Sequence, residues 1–114
     1  MNANERGLGE IIDEVITLTF KITNHIDSEK AAKRLESLIA YLSKQNLHPD
    51  AWNIIALICV NATCWMAQDI VSTEGLKDED VATYAKIAQD SNKARNALIN
   101  TINKDVGIVT EKSY

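Results

Sequence analysis

The sequence predicts an all-α protein, a small bundle of about four helices that self-associates. Its 114 residues include one proline and four glycines, a composition that suits long helices with short connections. Several segments place their apolar residues at helical spacing. Residues 51–68 carry no charged side chain, and their apolar side chains fall on every side of a helix, so one neighbour cannot cover them. We therefore expect a central apolar helix that other copies of the chain partly cover.

A single domain is expected over residues 9–107, with flexible ends at 1–8 and 108–114. A chain of this length buries about two thirds of the surface that it exposes when unfolded. That burial is sufficient for one core without disulfides or metal ions.

The first helix is predicted over residues 10–26, although this stretch has two patterns. Apolar residues recur at helical spacing, but Ile16, Leu18, Phe20 and Ile22 also alternate with polar residues, as they would in a strand. A lone strand would have to pair with a second copy of itself. Helix is therefore the favoured interpretation.

The second helix is predicted to start at Asp27 or Ser28, either of which can cap it, with Glu29 well placed in its first turn. Asn46 is a suitable left-handed residue to end it. Its core-facing stripe is predicted to be Ala31, Leu35, Leu38, Ile39 and Leu42.

The central helix is predicted to run from Pro49 to Gly75, because a first turn tolerates proline and a glycine often follows a last turn. Asp78 opens a fourth helix that we expect to end between Lys104 and Val106. The inner stripe of this last helix is predicted to be Tyr84, Ile87, Ala88, Ser91, Leu98 and Ile102.

Two features bear on the compartment. Cys59 and Cys64 lie about 140° apart around one helix, so they cannot bridge each other, and two buried thiols indicate a reducing, cytoplasmic environment. The chain begins without the pattern of a signal peptide.

The uncharged run 51–68 just reaches the length of a membrane span, but polar residues interrupt it and no basic flank orients it. We predict no membrane partner.

Catalytic and metal sites are not predicted. His25 and His48 stand alone, and neither cysteine has a ligand three or four residues away. No nucleophile motif or glycine-rich phosphate loop is present in the sequence. We expect a protein that is not an enzyme and that holds no cofactor.

One acidic group is an alternative to this expectation. Glu10, Asp13 and Glu14 share a helix surface, and the spacing of Glu10 and Asp13 resembles that of magnesium-dependent all-α nucleotide pyrophosphohydrolases. Such a site needs a second acidic pair to share the ion. The acid-rich run 78–80 fits the start of a helix better, so a solvated helix face is the favoured interpretation.

The second helix carries the clearest binding signal. Its polar side falls within a sector of about 100° that contains no acid and suits a run of phosphates. Since the net charge of the chain is −4, nucleic-acid binding requires a local patch of this kind. The candidate DNA contacts are Lys30, Lys33, Arg34, Tyr41 and Lys44.

A self-association interface is predicted from residues of the third helix together with one residue of the fourth. Arg95 projects from the apolar stripe of the fourth helix and needs a carboxylate, either Asp69 or Glu74 of the same chain or a group of another copy. The candidate interface residues are Trp52, Ile55, Cys59, Trp65, Met66 and Arg95.

The later part of the chain also shows a family likeness. The features that carry it are a helix ending at Leu47, the run 56–65 of small residues with an aromatic end, Glu74-Gly75-Leu76, then Ile87, Lys93, Leu98, Gly107-Ile108, Thr110 and Ser113. Over about residues 35–113 the chain resembles the small terminase subunits of tailed bacteriophages in spacing and residue type.

The resemblance implies a DNA-packaging subunit located in the cytoplasm of the host cell. Such proteins form homo-oligomeric rings, bind duplex viral DNA and deliver it to the large terminase subunit, and they are not enzymes. Two alternatives remain open at this point. One is a helical adaptor or inhibitor that binds another protein and no nucleic acid, and the other is the pyrophosphohydrolase.

Overall fold

The computed structural model describes residues 5–106 and 108–110, and this part of the chain contains four helices and two short strands. In chain order the elements are β1 (Glu5–Gly7), α1 (Leu8–Thr23), α2 (Ser28–Ser43), α3 (Ala51–Val71), α4 (Asp78–Val106) and β2 (Ile108–Thr110). The predicted all-α bundle is confirmed.

The first helix, α1, lies in the middle of the bundle, with α2 on one side and α3 and α4 on the other. Ile16 packs in a core cluster with residues of α3 and α4, whereas Leu18 packs in a second cluster with residues of α2. Residues two apart are therefore both buried, which explains the strand-like alternation in a segment that forms a helix. The prediction that the third helix is the central one is therefore wrong, because α1 holds that position.

The second helix, α2, buries Ala31 and Leu38 against α1, while Leu35 and Leu42 are partly buried. The prediction that Ile39 faces the core is wrong, because its side chain is 52% exposed. Asp27 precedes α2 with a φ of 44°, and its side chain makes no capping hydrogen bond. The helix ends at Ser43, before the stop that was predicted at Asn46.

The third helix, α3, begins where Asp50 accepts a hydrogen bond from the backbone N–H of Trp52 at 2.8 Å, as a capping side chain does. The helix ends at Val71, and Gly75 lies in the following turn with a φ of 80°. Only one side of α3 is buried, along Leu57, Asn61, Cys64 and Ala67.

The fourth helix, α4, runs antiparallel to α3. Asn53 donates a hydrogen bond to Asp105 at one end of the pair, and the thiol of Cys64 lies 4.0 Å from the carbonyl oxygen of Ala88 farther along. Its buried residues are Ser91, Ile99 and Ile102, and all six residues of the predicted inner stripe are buried or partly buried.

The ends of the described chain come together, since β1 pairs antiparallel with β2 and Arg6 lies opposite Val109. Of the end residues predicted to be flexible, 5–7 and 108–110 form this ribbon and Leu8 begins α1. The remaining end residues, 1–4 and 111–114, lie outside the described part of the chain.

A close helix crossing adjoins this ribbon. The backbone N–H of Gly9 donates to Oδ1 of Asn103 at 2.7 Å, and Nδ2 of the same asparagine donates to Oε2 of Glu10 at 2.8 Å. A Cβ atom at Gly9 would stand 2.5 Å from the carbonyl oxygen of Ile99. Glycine therefore permits α1 and α4 to approach at this point.

Candidate functional site

A continuous apolar surface on α3 points away from the bundle, and we call it the open α3 face. Around the helix axis it lies opposite the buried side that contains Leu57 and Asn61. Trp52 is 76% exposed, Ile55 56%, Met66 45% and Ile58 42%. The residues of the open α3 face are Trp52, Ile55, Ile58, Cys59, Ala62 and Met66.

Four of the predicted interface residues lie on this face, namely Trp52, Ile55, Cys59 and Met66. Sequence reasoning missed Ile58 and Ala62. Ala62 continues the spacing of three and four residues that Trp52, Ile55, Cys59 and Met66 begin, so this repeat was the signal that could have found it.

Trp65, another predicted interface residue, is not on the open α3 face. Its ring packs edge-on against Phe20 of α1, with ring centroids 5.7 Å apart and an interplanar angle of 80°. Edge-to-face contacts of this kind stabilise a core beyond the burial of their area. Trp65 therefore helps to hold α3 against α1.

Arg95, the last predicted interface residue, pairs within its own chain. Its Nε donates to Oδ1 of Asp13 at 2.8 Å, and its Nη2 donates to Oδ2 of the same carboxylate. Asn61 of α3 also donates to Oδ1 of Asp13, at 2.9 Å. The hydrogen bond from Arg95 to Asp13 raises the pKa of the guanidinium above its ordinary value. The carboxylate partner is thus Asp13, and not Asp69 or Glu74.

The carboxylates of the proposed magnesium motif are bound by other side chains. Asp13 is buried beneath Arg95 and Asn61, and Glu10 accepts from Asn103. Among residues 5–106 and 108–110, no group of three or more His, Cys, Asp or Glu side chains is arranged to hold a metal ion. The described residues offer no support for a pyrophosphohydrolase centre.

The basic side of α2 is partly used inside the molecule. The side chains of Lys30, Lys33 and Lys44 are exposed, but Arg34 and Tyr41 are partly buried. Lys33 lies 4.0 Å from Glu29, which is a weak and fully solvated pair. Three exposed lysines therefore remain on the predicted DNA-binding side.

Arg34 points toward α1 and forms an ion pair with Glu14 through two hydrogen bonds. Its Nε donates to Oε2 of Glu14 at 2.8 Å and its Nη2 donates to Oε1 at 3.1 Å, while Arg6 donates to Oε1 at 2.6 Å. The hydrogen bond from Arg34 is the main cause that lowers the pKa of Glu14; Arg6 lowers it further, and partial burial opposes both. This network ties β1 and α2 to α1.

An open groove of about 300 Å³ runs between α1 and α2 beside these residues. It brings Lys21 and Lys30 close to the acidic side chains of Glu14 and Asp27. The sign of charge is therefore mixed where the sequence, read along α2 alone, predicted a uniformly basic surface. Acids contributed by α1 and the preceding turn could not be placed from the pattern of one helix.

By length and composition, α3 also meets the criteria for a membrane-crossing helix, with a mean hydropathy of 1.7 over its most apolar window. The criteria are met as well by core helices of water-soluble proteins. Its inner side carries Asn61, which is hydrogen-bonded to Asp13 and to the carbonyl oxygen of Leu57. Those bonds stabilise α3 in its place within the bundle.

Comparison of the chain with protein-family models, curated proteins and solved structures finds no match.

Proposed function

We propose that this protein is a non-catalytic subunit of a homo-oligomer that binds duplex DNA, of the kind that the likeness to phage small terminase subunits suggests. The observation that carries the proposal is the open α3 face. The three lysines on α2 supply the surface for DNA. In a packaging complex, the large terminase subunit would be the protein that receives the DNA.

The case for assembly begins with the cost of exposing apolar surface. Isolated apolar residues are common on protein surfaces, but a contiguous patch marks an interaction site. Trp52 and Ile55 leave more than half of their surface in water on the same side of one helix. Tryptophan is among the residues that contribute most to interface stability. A protein partner that covers this face would recover the hydrophobic free energy that the single chain leaves unused.

The case for a DNA contact is electrostatic. Lys30 and Lys33 extend into solvent from the first turns of α2, and the exposed Lys44 directly follows its last residue, so the three lysines span the length of the helix. Lysine contacts to phosphates release counterions, which makes the affinity fall as salt rises. In an oligomer the same three lysines recur on each copy, so several weak contacts combine along one duplex.

The case against a catalytic role rests on the carboxylates. Glu10, Asp13 and Glu14 accept hydrogen bonds from side chains of their own chain, which leaves them positioned as structural groups. The same bonds give these acids a structural role on α1 that needs no metal ion.

A second candidate function is a protein-binding adaptor or inhibitor that does not contact nucleic acid. The contact between Arg34 and Glu14 favours it, because that ion pair engages one of the predicted DNA contacts within the chain. The net charge of −4 also favours the adaptor, because it repels the phosphates of DNA. In this case another protein would cover the open α3 face.

Two measurements test the proposal, namely light scattering for mass in solution and titration of long duplex DNA at several salt concentrations. We expect an oligomer whose DNA affinity falls as salt rises. The double variant Lys30→Glu/Lys33→Glu should bind more weakly and show a flatter salt dependence. Its matched control is Lys86→Glu/Lys93→Glu on α4, which changes the net charge equally and should retain more of the affinity.

The outcomes separate the candidates. An oligomer that binds no DNA at low salt would exclude the proposed function and leave the adaptor. A protein that stays a monomer at high concentration would remove the assembly on which the proposal depends. Equal loss of affinity in both double variants would show that net charge, and not the α2 surface, governs DNA binding.

A further inference from the structure

We propose that two copies pair through their open α3 faces, with the helices antiparallel and the two-fold axis between Cys59 and Ala62. This inference rests on the self-association in the proposed function and goes further, because it names the partner surface and its direction. A two-fold pair is closed, so any larger assembly would add a second, different contact.

The first argument is the spacing along the face. Trp52, Ile55, Cys59, Ala62 and Met66 follow one another at intervals of three and four residues, the repeat by which one helix packs along another. The stripe spans 14 residue steps, about 21 Å of helix. No charged side chain lies within residues 51–68, and the first one that follows is Asp69.

The second argument is the area. If a fully exposed large side chain presents roughly 200 Å², the exposed fractions of Trp52, Ile55, Ile58 and Met66 amount to about 450 Å² on each copy. A standard stable interface buries about 800 Å² on each partner. The four side chains alone supply more than half of that area, and the smaller groups between them and a polar rim would add the rest. A second copy brings the same apolar area to the contact.

The third argument is charge. The chain carries a net charge of −4, so two copies repel each other over most approaches. The open α3 face is an uncharged surface on which that repulsion is smallest. An anionic membrane is a poorer partner, because Asp50 and Asp69 stand at the two ends of the stripe where lysine or arginine would favour lipid headgroups.

The fourth argument gives the direction. In a parallel pair Trp52 would face Trp52 and Asp69 would face Asp69, so the bulky side chains would wedge one end apart and like charges would meet at the other. In the antiparallel pair Ile55 packs on Met66 of the second copy. The small residues Cys59 and Ala62 meet at the axis, where they let the helices approach.

The antiparallel arrangement also gives Trp52 a polar partner. The indole N–H donates, and Asp69 of the second copy stands at the corresponding position of the stripe as an acceptor. Antiparallel helix dipoles add a small favourable interaction that a parallel pair lacks.

Engineered disulfides test the direction. In a Cys59→Ser background, single variants Ile55→Cys and Met66→Cys are purified, one of them with a mass tag, then mixed and oxidised. The antiparallel pair predicts a mixed disulfide between the two variants and little homodisulfide from Ile55→Cys alone. A homodisulfide of Ile55→Cys without the mixed product, or no cross-linking in an oligomer, would overturn the inference.

Charge substitutions test the surface itself. Ile55→Glu should raise the dissociation constant for self-association on the order of 100-fold, because it buries an unpaired carboxylate in the contact. Ile39→Glu on α2 is the matched control, since Ile39 is exposed to a similar degree, and its mass in solution should be unchanged. Circular dichroism checks that both variants remain helical.

The results distinguish this inference from the proposed function. If Ile55→Glu leaves the oligomer intact, copies assemble through another surface, and the inference fails while the proposed function stands. If the wild-type protein is a monomer, both fail. Flotation with vesicles of phosphatidylcholine and phosphatidylglycerol that Ile55→Glu abolishes would assign the face to lipid and overturn the inference.

Discussion

The guanidinium of Arg95 on α4 holds the carboxylate of Asp13 on α1 at two points, although the two residues lie 82 positions apart in the sequence. Asn61 on α3 donates to the same carboxylate. One buried polar cluster therefore joins three helices. Because Asn61 faces this cluster, the opposite side of α3 must face outward. The open α3 face, which we propose for pairing, is that outward side.

Removing the side-chain charge of Arg95 should destabilise the folded protein. Arg95→Met leaves the buried Asp13 without its cation, and we expect the free energy of unfolding to fall by about 3–5 kcal/mol. Urea denaturation followed by circular dichroism measures it. Lys86→Met is the control, because the exposed pair of Lys86 with Asp90 at 3.4 Å contributes less than about 1 kcal/mol.

A double variant completes this test. Asp13→Asn in the Arg95→Met background removes the unpaired charge, so it should be more stable than Arg95→Met alone. If the double variant loses the sum of the two single effects, the pair is not coupled as the contact distances indicate.

Acid should weaken the network around Glu14. Its pKa in the folded protein lies below the ordinary value of 4.5, chiefly because Arg34 donates hydrogen bonds to the carboxylate. A lowered folded pKa contributes stability that is fully present above the unfolded pKa and is lost as the pH falls through the folded one. We expect wild type to be more stable than Glu14→Gln at neutral pH and the difference to shrink below pH 4.5.

Urea midpoints of both proteins across the acid range check this expectation. Effects of pH that are common to both proteins cancel in the difference between the two curves, which isolates Glu14. A difference that is constant with pH would mean that the carboxylate charge does not contribute through Arg34.

The crossing of α1 and α4 should not tolerate a methyl group. In Gly9→Ala the new Cβ would meet the carbonyl oxygen of Ile99 at 2.5 Å, and a backbone atom can move only if α4 moves. We expect a loss of about 1–3 kcal/mol in the free energy of unfolding. At Ala32, an exposed position within α2, alanine is the more stable residue, because glycine in a helix is about 1 kcal/mol less favourable than alanine. Gly9→Ala and Ala32→Gly should therefore both destabilise.

Tryptophan emission should report the proposed pairing. In Trp65→Phe the remaining indole is Trp52, which is 76% exposed in the single chain. Pairing buries this ring, so its emission should shift to shorter wavelength and its quenching by acrylamide should decrease as protein concentration rises. Trp52→Phe retains only Trp65, which packs on Phe20, and its emission should not depend on concentration. Emission of Trp52 that stays constant while the mass rises would place the contact elsewhere.

Local patterns in the sequence were sufficient to predict the four helices. Asp78, predicted to open the last helix, is its first residue, whereas α3 begins at Ala51 after the capping side chain of Asp50 and not at Pro49 as predicted. The apolar run of α3 was likewise evident, but its composition alone does not say which side the chain itself covers. That depends on α1, whose alternating Ile16 and Leu18 were the sign of a helix buried on two sides.

The candidate surfaces were less accessible to sequence reasoning. The partner of Arg95 was missed because Asp13 lies on another helix and no spacing rule joins them. The basic side of α2 was predicted from α2 alone, so the ion pair of Arg34 with Glu14 was also missed. Long-range pairs of this kind depend on helix packing, which the periodicity of one segment does not determine.

The ribbon of β1 and β2 has a topological consequence. Because Glu5 lies beside Thr110, the two ends of the described chain leave the bundle at one place. A short peptide linking them would close the backbone into a circle, and a cut in the turn at 72–77 between α3 and α4 would then open new termini without interrupting any helix. A circular permutant of this design would convert the hairpin of α3 and α4 into a contact between the two ends of the polypeptide.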